Sequence, residues 1–260
     1  MFFRLISEQP SIQPEVIFRP FGWPISVACL LSWLIILILI ALVISVRQLK
    51  LRPGKKQVSL EMFYGLILGL ITQLTGSTAK AKKILPLFGS LFIFILLSNY
   101  IGYIPGLGSL TWNGIAIFRT PTNDFNMTIV LALFVILYIQ LASIKQIGFF
   151  PHIGKYVQIK GVWQGFRKGL MAGFISLIDF AVGLMDIISE FARVISLSLR
   201  LFGNIFAGEV LTAIIISAFA WLLPSTWMAM GLLSGLVQAV VFTSLSSVYY
   251  ALAVEEPAAN

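Results

Sequence analysis

The chain has 260 residues, of which 58% are hydrophobic and only 11% are charged, and its formal net charge is +8. A soluble domain carries roughly a quarter charged residues, so this composition, with a mean hydropathy of +0.96, excludes a soluble globular protein and indicates an integral membrane protein. The positive charge follows the apolar segments as short basic loops, which is typical of membrane topology and argues against nucleic-acid binding.

Cysteine and histidine are too scarce for a disulfide framework or a metal centre. The chain has one cysteine, Cys29, and one histidine, His152. A single cysteine cannot form an internal disulfide, and a single histidine without a cysteine cluster is a poor metal site. Because His152 follows a proline in a basic loop, we interpret it as a solvated loop histidine. No metal and no cofactor are expected.

The first predicted span covers residues 23–46, after an external N-terminal segment, 1–22. About 24 apolar residues are enough to cross the hydrocarbon core. A basic cluster follows at once and predicts a cytoplasmic end for this span, and therefore an N-terminus outside, because cytoplasmic loops collect lysine and arginine. Its members are Arg47, Lys50, Arg52, Lys55 and Lys56.

Residues 57–78 are less apolar and lie between that cluster and a second one at Lys80, Lys82 and Lys83. If this segment crossed the membrane, the two clusters would lie on opposite faces, contrary to the usual charge bias. We therefore expect an interfacial or re-entrant cytoplasmic helix here.

Four further helical segments are predicted, namely residues 84–104, 127–144, 170–223 and 226–254. Residues 113–126 are interpreted as an outside loop. The segment 170–223 would measure about 80 Å as one helix, so it must be tilted, bent or partly on the surface, and it forms a long hairpin with the last segment. We predict an all-α polytopic membrane protein, a single membrane domain with five transmembrane helices and a cytoplasmic C-terminus.

A polar stripe runs along the longest predicted helix. At about 100° per residue, its members share one face about 120° wide: Asp179, Asp186, Ser189, Glu190, Arg193, Ser196, Arg200 and Asn204. Glu209 falls on the opposite face, about 13.5 Å beyond Arg200. The acids near the cytoplasm could instead form a solvated face, and Glu209 could be a capping or interfacial carboxylate.

Arg200 is the least easily explained of these residues. An arginine at membrane depth costs about 2.5–3.5 kcal/mol on insertion scales, and its guanidinium stays charged. No acid lies three or four residues away, and Glu190 is placed to pair with Arg193 instead. The other predicted spans contain no Asp or Glu. Unless Arg200 snorkels to an interface, its partner is water or a carboxylate on another chain.

The stripe predicts two hydrated paths that Arg200 separates, because a fixed positive charge repels cations. Nearer the cytoplasm lie Asp186, Ser189, Glu190 and Arg193; nearer the outside lie Asn204 and Glu209. If the antiparallel last helix places Gly231 level with Glu209, then Gln238 is close to Arg200, and Gly231 leaves space for the Glu209 side chain or water.

The segment Ser198-Leu-Arg-Leu-Phe-Gly-Asn-Ile-Phe-Ala-Gly-Glu209 resembles the signature of subunit a of F-type ATP synthases. The resemblance extends through Gln238 and the tail from Ser246, and includes the five-span topology. It implies a non-catalytic stator subunit that couples proton flow to rotation. Many relatives place an acid near Gly102 and some a histidine near Gly231, and this chain has neither.

The resemblance also implies partners and roles. Arg200 would face a rotating ring of subunit c, whose carboxylate is the missing counter-ion, and the peripheral stalk subunit b would complete the complex. Matches to the outer half-channel are Asn204, Glu209 and Gln238; matches near the inner one are Asp186, Ser189 and Arg193; Asn99 matches on the third helical segment. No phosphate-binding G-x-x-x-x-G-K-[ST] loop is present, so ATP chemistry belongs to other subunits.

Three alternatives stay open at this point. A sodium-translocating version of the same subunit would share these residues. An ion-coupled secondary transporter could hold a substrate carboxylate at Arg200, although no internal repeat is visible. A non-transporting scaffold would leave the intramembrane charges unexplained. A bacterial plasma membrane is the expected location, with an organellar inner membrane as the alternative.

Overall fold

Backbone hydrogen bonding decides the architecture of so apolar a chain, because only helices and closed barrels satisfy every N–H and C=O inside a membrane. The computed structural model describes residues 16–18, 25–45, 54–104, 111–112, 115–116, 119–156, 167, 169–218 and 222–254. Most of the predicted external segment 1–22 and the basic residues Arg47, Lys50 and Arg52 lie outside the described residues.

The described ranges are almost entirely helical, which confirms the all-α polytopic class. The helices are α1 (Val27–Ser45), α2 (Lys55–Thr75), α3 (Thr78–Gly102), α4 (Phe125–Ile147), α5 (Phe149–Tyr156), α6 (Leu170–Ala218) and α7 (Leu222–Val254). Two short antiparallel strand pairs join β1 (Val16–Phe18) to β2 (Ile25–Ser26) and β3 (Thr111–Trp112) to β4 (Ile115–Ala116). A 3-10 turn, Pro121–Asn123, leads into α4.

Several helices extend beyond the predicted spans, because hydropathy marks the membrane-embedded part of a helix and not its ends. Helix α3 begins at Thr78 rather than at residue 84, so Lys80, Lys82 and Lys83 lie in its first turns. Helix α7 begins at Leu222 with Pro224 in its first turn, where a missing N–H is tolerated. Asp124 caps α4 by accepting a hydrogen bond from the Asn126 N–H at 2.9 Å.

Helix α2 ends at Thr75 and is capped by Gly76, whose φ of 65° is left-handed, and α3 starts at Thr78. The pair forms a tight helical hairpin, with the Phe63 and Phe92 rings 5.8 Å apart. Six of the described helices, α2 among them, are long and apolar enough to cross a membrane. The interfacial or re-entrant placement of α2, and with it the count of five spans, stays a prediction.

The helices α3, α4, α6 and α7 pack side by side around the main apolar core. The Phe88 ring lies in this core, 6.3 Å from both the Tyr138 and Tyr250 rings. Large apolar side chains also cover the outside of the helices, for example Leu37, Leu66 and Leu141, each more than 60% exposed. An apolar exterior of this extent matches a lipid-facing surface.

Contacts at both ends of these helices establish their relative directions. Helix α7 runs antiparallel to α3, with Phe88 against Tyr250 at one end and Asn99 bonded to Gly235 near the other. Helices α4 and α6 are antiparallel, since the Phe125 and Phe202 rings meet at 5.6 Å and Thr128, one turn further along α4, meets Ser198 at 3.2 Å. Helices α4 and α7 end on the same side, because Ser143 bonds to Ala253 near both C-terminal ends. We call this the C-terminal side.

Helix α6 is continuous over 49 residues, or about 70 Å at 1.5 Å per residue. It begins at Leu170, as predicted, and residues 219–221 at the end of the predicted segment are not among those described. Its length greatly exceeds the roughly 30 Å thickness of a hydrocarbon core. Polar groups on this one helix can therefore lie at several depths of the membrane.

Candidate functional site

The polar stripe follows the border between the packed and the open side of α6. Leu197, Ser198 and Leu201 are buried against the other helices, whereas Leu199 is half exposed. The stripe residues accordingly lie outside the core. The half-buried members are Asp186, Ser189, Glu190, Arg193 and Asn204, whereas Asp179, Ser196 and Arg200 are exposed.

Arg200 lies on the open side of this border. Its Nη2 donates to Ser196 Oγ on the same helix, at 3.4 Å. Within the described part of the chain no carboxylate forms an ion pair with it; the ion pair found there joins Arg193 to Glu190.

The rest of the open side of α6 is strongly apolar. Its large side chains are each at least half exposed: Met185, Ile188, Phe191, Ile195 and Leu199. A guanidinium at the edge of such a face has neither a protein carboxylate nor a surrounding polar patch among the described residues. The described residues of this face therefore do not balance the charge of the Arg200 guanidinium.

Glu190 and Arg193 form the predicted pair towards the C-terminal side. Arg193 Nη1 lies 2.7 Å from Glu190 Oε1, and the side chains are 27% and 21% exposed. The Arg193 guanidinium carbon also lies 4.8 Å from the centre of the Tyr249 ring on α7. A planar guanidinium can make both contacts at once, so this arginine ties α6 to α7.

His152 corrects the sequence-based interpretation, because it is not a solvated loop histidine. It lies in α5 and is only 8% exposed. Its Nδ1 is 3.1 Å from Ser143 Oγ on α4, and its ring packs edge-on against Tyr156 at 5.3 Å. The proline and the basic neighbours indicated a loop, but α5 folds back beneath α4 and buries the ring.

His152 opens onto a cavity of about 50 Å³ that the sequence did not predict. That volume admits a few water molecules. Its walls come from four helices, and they combine one imidazole, two carboxylates, one guanidinium, a phenol and a hydroxyl: His152, Asp186, Glu190, Arg193, Tyr156 and Ser143, with Leu252 and Ala253. The Asp186–Arg193 segment of the stripe thus lines a polar chamber.

Tyr156 stays a neutral phenol in this chamber. Its hydroxyl donates to Gln140 Oε1 at 3.3 Å. Burial of the side chain is the main cause that raises the pKa of Tyr156 above its ordinary value, and the nearby Glu190 and Asp186 carboxylates raise it further. The phenol therefore serves as a hydrogen-bond donor, not as a negative charge.

Glu209 lies at the other end of the stripe, in a pocket closed by the loop before α4. Thr120 donates its hydroxyl to Glu209 Oε1 at 3.1 Å, and Asn123 donates from Nδ2 to Glu209 Oε2. Both loop residues are buried. The predicted outside loop 113–126 is thus partly folded into the protein, and two donors hold this carboxylate.

The space beside Gly231 is filled differently from what we expected. A side-chain carbon at position 231 would collide with the Tyr103 ring, so this space holds Tyr103 and not the Glu209 side chain or water. Similarly, a side-chain carbon on Gly102 would collide with Thr120. Both glycines therefore accommodate groups of the Glu209 pocket, and the sequence alone pointed to neither Tyr103 nor Thr120.

Asn204 and Gln238 connect the stripe to α7. Ser234 donates to Asn204 Oδ1 at 3.0 Å. Advancing one helical turn along each antiparallel helix from this pair brings Gln238 level with Arg200. Gln238 is 6% exposed, and its Nε2 has no hydrogen-bond partner among the described residues.

Asn99 is a link between α3 and α7. It is 1% exposed, and its Nδ2 donates to the Gly235 carbonyl at 3.1 Å. The glycine is needed for this approach, because a side-chain carbon at position 235 would lie 3.0 Å from Asn99 Cβ. The Asn99 Oδ1 atom is buried without a partner.

Buried polar atoms without a protein partner are concentrated near these groups. Such atoms are normally satisfied by ordered water. In the described part of the chain they lie on α3, on α7 and on the turn before α4: Ser98 Oγ, Asn99 Oδ1, Thr122 Oγ1, Asn123 Oδ1, Gln238 Nε2 and Thr243 Oγ1. No group of three or more His, Cys, Asp or Glu among the described residues is arranged for a metal ion.

Comparison with known proteins gives a consistent result. ATP synthase subunit a, sodium ion specific, of Propionigenium modestum is 33% identical over 235 residues, which are 88% of this chain and 74% of that protein. ATP synthase subunit a of Moorella thermoacetica is 31% identical over 241 residues, covering 92% of this chain and 96% of the relative. The corresponding subunit of Geotalea daltonii is 33% identical over 226 residues, or 86% of each chain.

The family profile described as ATP synthase A chain matches residues 27–251. This range includes every residue of the polar stripe, the Glu209 pocket, and the lining of the Asp186 chamber except Leu252 and Ala253. The chain belongs to the ATP synthase A chain family.

Proposed function

We propose that this chain is the proton-translocating stator subunit of an F-type ATP synthase, with two aqueous half-channels that open against a rotating ring of subunit c. As a family member it is a multi-pass membrane component of an ATP synthase complex, in which catalysis lies in other subunits. The two half-channels, the ring and the direction of the ion path are the parts that we propose here.

The observation that carries the proposal is Arg200 on the open, apolar side of α6. A ring carboxylate brought against this guanidinium would supply the counter-ion that the described chain lacks. A nearby positive charge favours the ionised form of a carboxylate. Each ring carboxylate would therefore release its proton as it reaches Arg200, and the charge pair would break as the ring turns.

The two ends of the stripe support separate access routes. Glu209, held by Thr120 and Asn123, would load protons from one side, with Asn204, Gln238 and Asn99 along the route. The chamber of Asp186, Glu190 and Arg193, with Ser189 on the same helix face, would release them on the C-terminal side. Arg200 lies between the two and would prevent direct leakage by repelling protons.

The C-terminal side is assigned to the cytoplasm of a bacterial plasma membrane. Lys145 at the end of α4 and Lys80, Lys82 and Lys83 at the start of α3 lie on this side, in keeping with the excess of lysine and arginine in cytoplasmic loops. The N-terminus would then lie outside. Subunit b of the peripheral stalk would hold this subunit against the rotation of the ring.

Replacing Arg200 by alanine tests the proposal in the assembled complex, reconstituted in sealed vesicles. ATP-driven proton pumping and ATP synthesis should both be lost while the ring still co-purifies, and passive proton leakage should rise. Ser196→Ala is the matched control, because it removes the partner of Arg200 on α6 and keeps the charge. An Arg200→Ala complex that pumps protons at the normal rate would refute the proposal.

Sodium is the second candidate ion, because the relative from Propionigenium modestum is named sodium ion specific. Uptake of radioactive sodium by the same vesicles separates the two. A proton-translocating complex should acidify the vesicle interior without sodium, and a protonophore should abolish that acidification. ATP-driven sodium uptake that persists in the protonophore would assign sodium instead.

A further inference from the structure

The hydroxyl group of Tyr103 lies between the backbones of α6 and α7. Its Oη atom would be 2.8 Å from a side-chain carbon added at Gly231 on α7, and 2.9 Å from one added at Gly208 on α6. Real side chains essentially never come this close to a neighbouring atom. The two glycines therefore make room for the phenol at the end of α3.

The contact at Gly208 concerns the hydroxyl and not the ring. Among the described residues, Tyr103 Oη is the single atom within 4 Å of the side-chain position at 208, whereas two ring carbons come closer than Oη to the position at 231. A phenylalanine ring would fill the space beside Gly231 equally well. The glycine at 208 is explained by the hydroxyl, and packing of the ring alone does not require it.

Gly208 directly precedes Glu209, so the hydroxyl lies beside the segment of α6 that carries this carboxylate. The Tyr103 phenol and the Glu209 carboxylate interact electrostatically. Thr120, which donates to Glu209 Oε1, lies with its methyl group against Gly102, the residue before Tyr103. The end of α3 thus meets the Glu209 pocket through two adjacent residues.

A carboxylate that loads and releases a proton needs a neighbour that can both donate and accept a hydrogen bond. The ionised form of Glu209 only accepts, at about four lone-pair sites, whereas the protonated form also has an O–H group to donate. Asn123 Nδ2, which contacts Glu209 Oε2, can only donate. A neutral phenol can do either, and the rigid ring of Tyr103 fixes the position of its oxygen.

We infer that Tyr103 is a positioning residue of the proton-loading site, an inference that rests on the proposed function. Its hydroxyl donates a hydrogen bond to the ionised Glu209 and accepts one from the protonated form, directly or through one water molecule. Tyr103 keeps its own proton throughout, so the transferred proton is that of Glu209 and no covalent bond of the phenol changes. The carboxyl group is thereby held in one orientation before and after the transfer.

Tyr103→Phe in the complete complex, reconstituted in sealed vesicles, tests this inference. It removes the hydroxyl and keeps the ring beside Gly231. The rate of ATP-driven pumping should fall by about fivefold, the factor that corresponds to one typical hydrogen bond. Tyr100→Phe is the matched control, because it removes a phenol hydroxyl one turn earlier on α3, and it should pump at the wild-type rate.

Infrared difference spectra between acidic and alkaline pH distinguish positioning from packing. The carboxyl C=O band of Glu209 is identified by its loss in Glu209→Gln, and the frequency of such a band depends on the hydrogen bonds of the carboxyl group. Tyr103→Phe should shift this band, and Tyr100→Phe should not. A role of the Tyr103 ring in packing alone would leave the band in place.

Gly208→Ala tests the same contact from α6. Its methyl group would meet the Tyr103 hydroxyl at 2.9 Å and displace it, so pumping should slow and the Glu209 band should shift. In a Tyr103→Phe chain the same methyl group meets no hydroxyl. Gly208→Ala should then slow pumping little further, because both changes remove one interaction.

Wild-type pumping by Tyr103→Phe would overturn the inference, and so would slowed pumping with an unshifted Glu209 band, since that result indicates packing. Equal slowing by Gly208→Ala in both chains would overturn it as well. If the Tyr103→Phe complex does not assemble, the band in Gly208→Ala decides the question. Failure of the proposed function is distinguishable, because it would appear as normal pumping by Arg200→Ala, whereas the band reports the contact of Tyr103 with Glu209 whichever ion is carried.

Discussion

The Tyr103 ring occupies the space that a side chain at position 231 would need, and its hydroxyl would lie 2.9 Å from a side-chain carbon on Gly208. Tyr103 thus separates α6 from α7 beside the Glu209 pocket. Two glycines on facing helices make room for one aromatic ring. A histidine at position 231 could not share this space with Tyr103 unless the ring moved.

Gly231→Ala should therefore destabilise the protein. The added methyl group meets a rigid ring, and overpacking of this kind costs about 1–3 kcal/mol. The midpoint of thermal denaturation of the purified complex should fall, and Tyr103→Ala in the same chain should remove most of the added loss, because the two changes share one space. Gly65→Ala on α2, where nothing lies within 4 Å, is the control and should be neutral or stabilising. An unchanged midpoint for Gly231→Ala would contradict this packing.

Asn123→Leu should slow proton transfer at Glu209 in both directions, including the outward transfer that ATP-driven pumping requires. Asn123 and Thr120 are the donors that hold the two oxygens of Glu209. Loss of a hydrogen bond to a charged group costs about 1.5–3 kcal/mol, so the initial rate of ATP-driven pumping should fall by about tenfold or more. The adjacent Thr122→Val serves for comparison, since its buried hydroxyl has no bond to Glu209. Equal effects at positions 122 and 123 would show that the turn, and not its contact with Glu209, determines the rate.

Gln238→Leu should reduce proton pumping and leave the stability of the protein almost unchanged. The buried Nε2 has no hydrogen-bond partner in the part of the chain that the structure describes, so its removal breaks no hydrogen bond there and should change the free energy of unfolding by less than about 1 kcal/mol. If water joins this amide to the path near Arg200, pumping should nevertheless fall. Both quantities can be measured on one preparation. A large loss of thermal stability with normal pumping would show that Gln238 has a structural role only.

The ion pair between Glu190 and Arg193 should contribute little to stability, and the stacking of Arg193 on Tyr249 should contribute more. Both side chains are partly exposed, so Glu190→Gln should cost about 0–1 kcal/mol, and this cost should shrink as salt is added. Arg193→Ala should cost more, since it also removes the contact with Tyr249, and Arg193→Lys should lie between them because it keeps the charge without the planar group. Thermal denaturation across a salt series measures all three. Equal costs for the three variants would show that the Tyr249 contact adds nothing.

The polar stripe and the Glu190–Arg193 pair could be derived from the sequence because they lie on one continuous helix. Spacing alone fixes which side chains share a face of such an element. The same reasoning predicted that Arg200 has no acid within reach on its own helix, since an inventory of acids needs no tertiary structure. The family signature around Arg200 is likewise contiguous.

The partners of Glu209 and His152 could not be derived in this way. Thr120 and Asn123 lie 89 and 86 positions from Glu209 in the chain, and the contact of Ser143 with Ala253 spans 110. The sequence around Thr120 and Asn123 indicates a loop before α4, and the sequence around Ala253 indicates the end of a helix. Neither sequence shows which distant side chain these residues will contact. The interpretation of His152 as a solvated loop histidine was wrong for the same reason, because its burial comes from the packing of α5 against other helices.

The sequence by itself determined the membrane class, the order of the helices and the stripe that carries Arg200, because hydropathy, charge and helical period are local properties of the chain. The tertiary structure alone decided which groups hold Glu209, what fills the space beside Gly231 and that His152 opens onto the Asp186 chamber. Those relationships depend on how distant helices pack, since shape and hydrogen-bond geometry between elements are properties of the folded chain and not of any one segment.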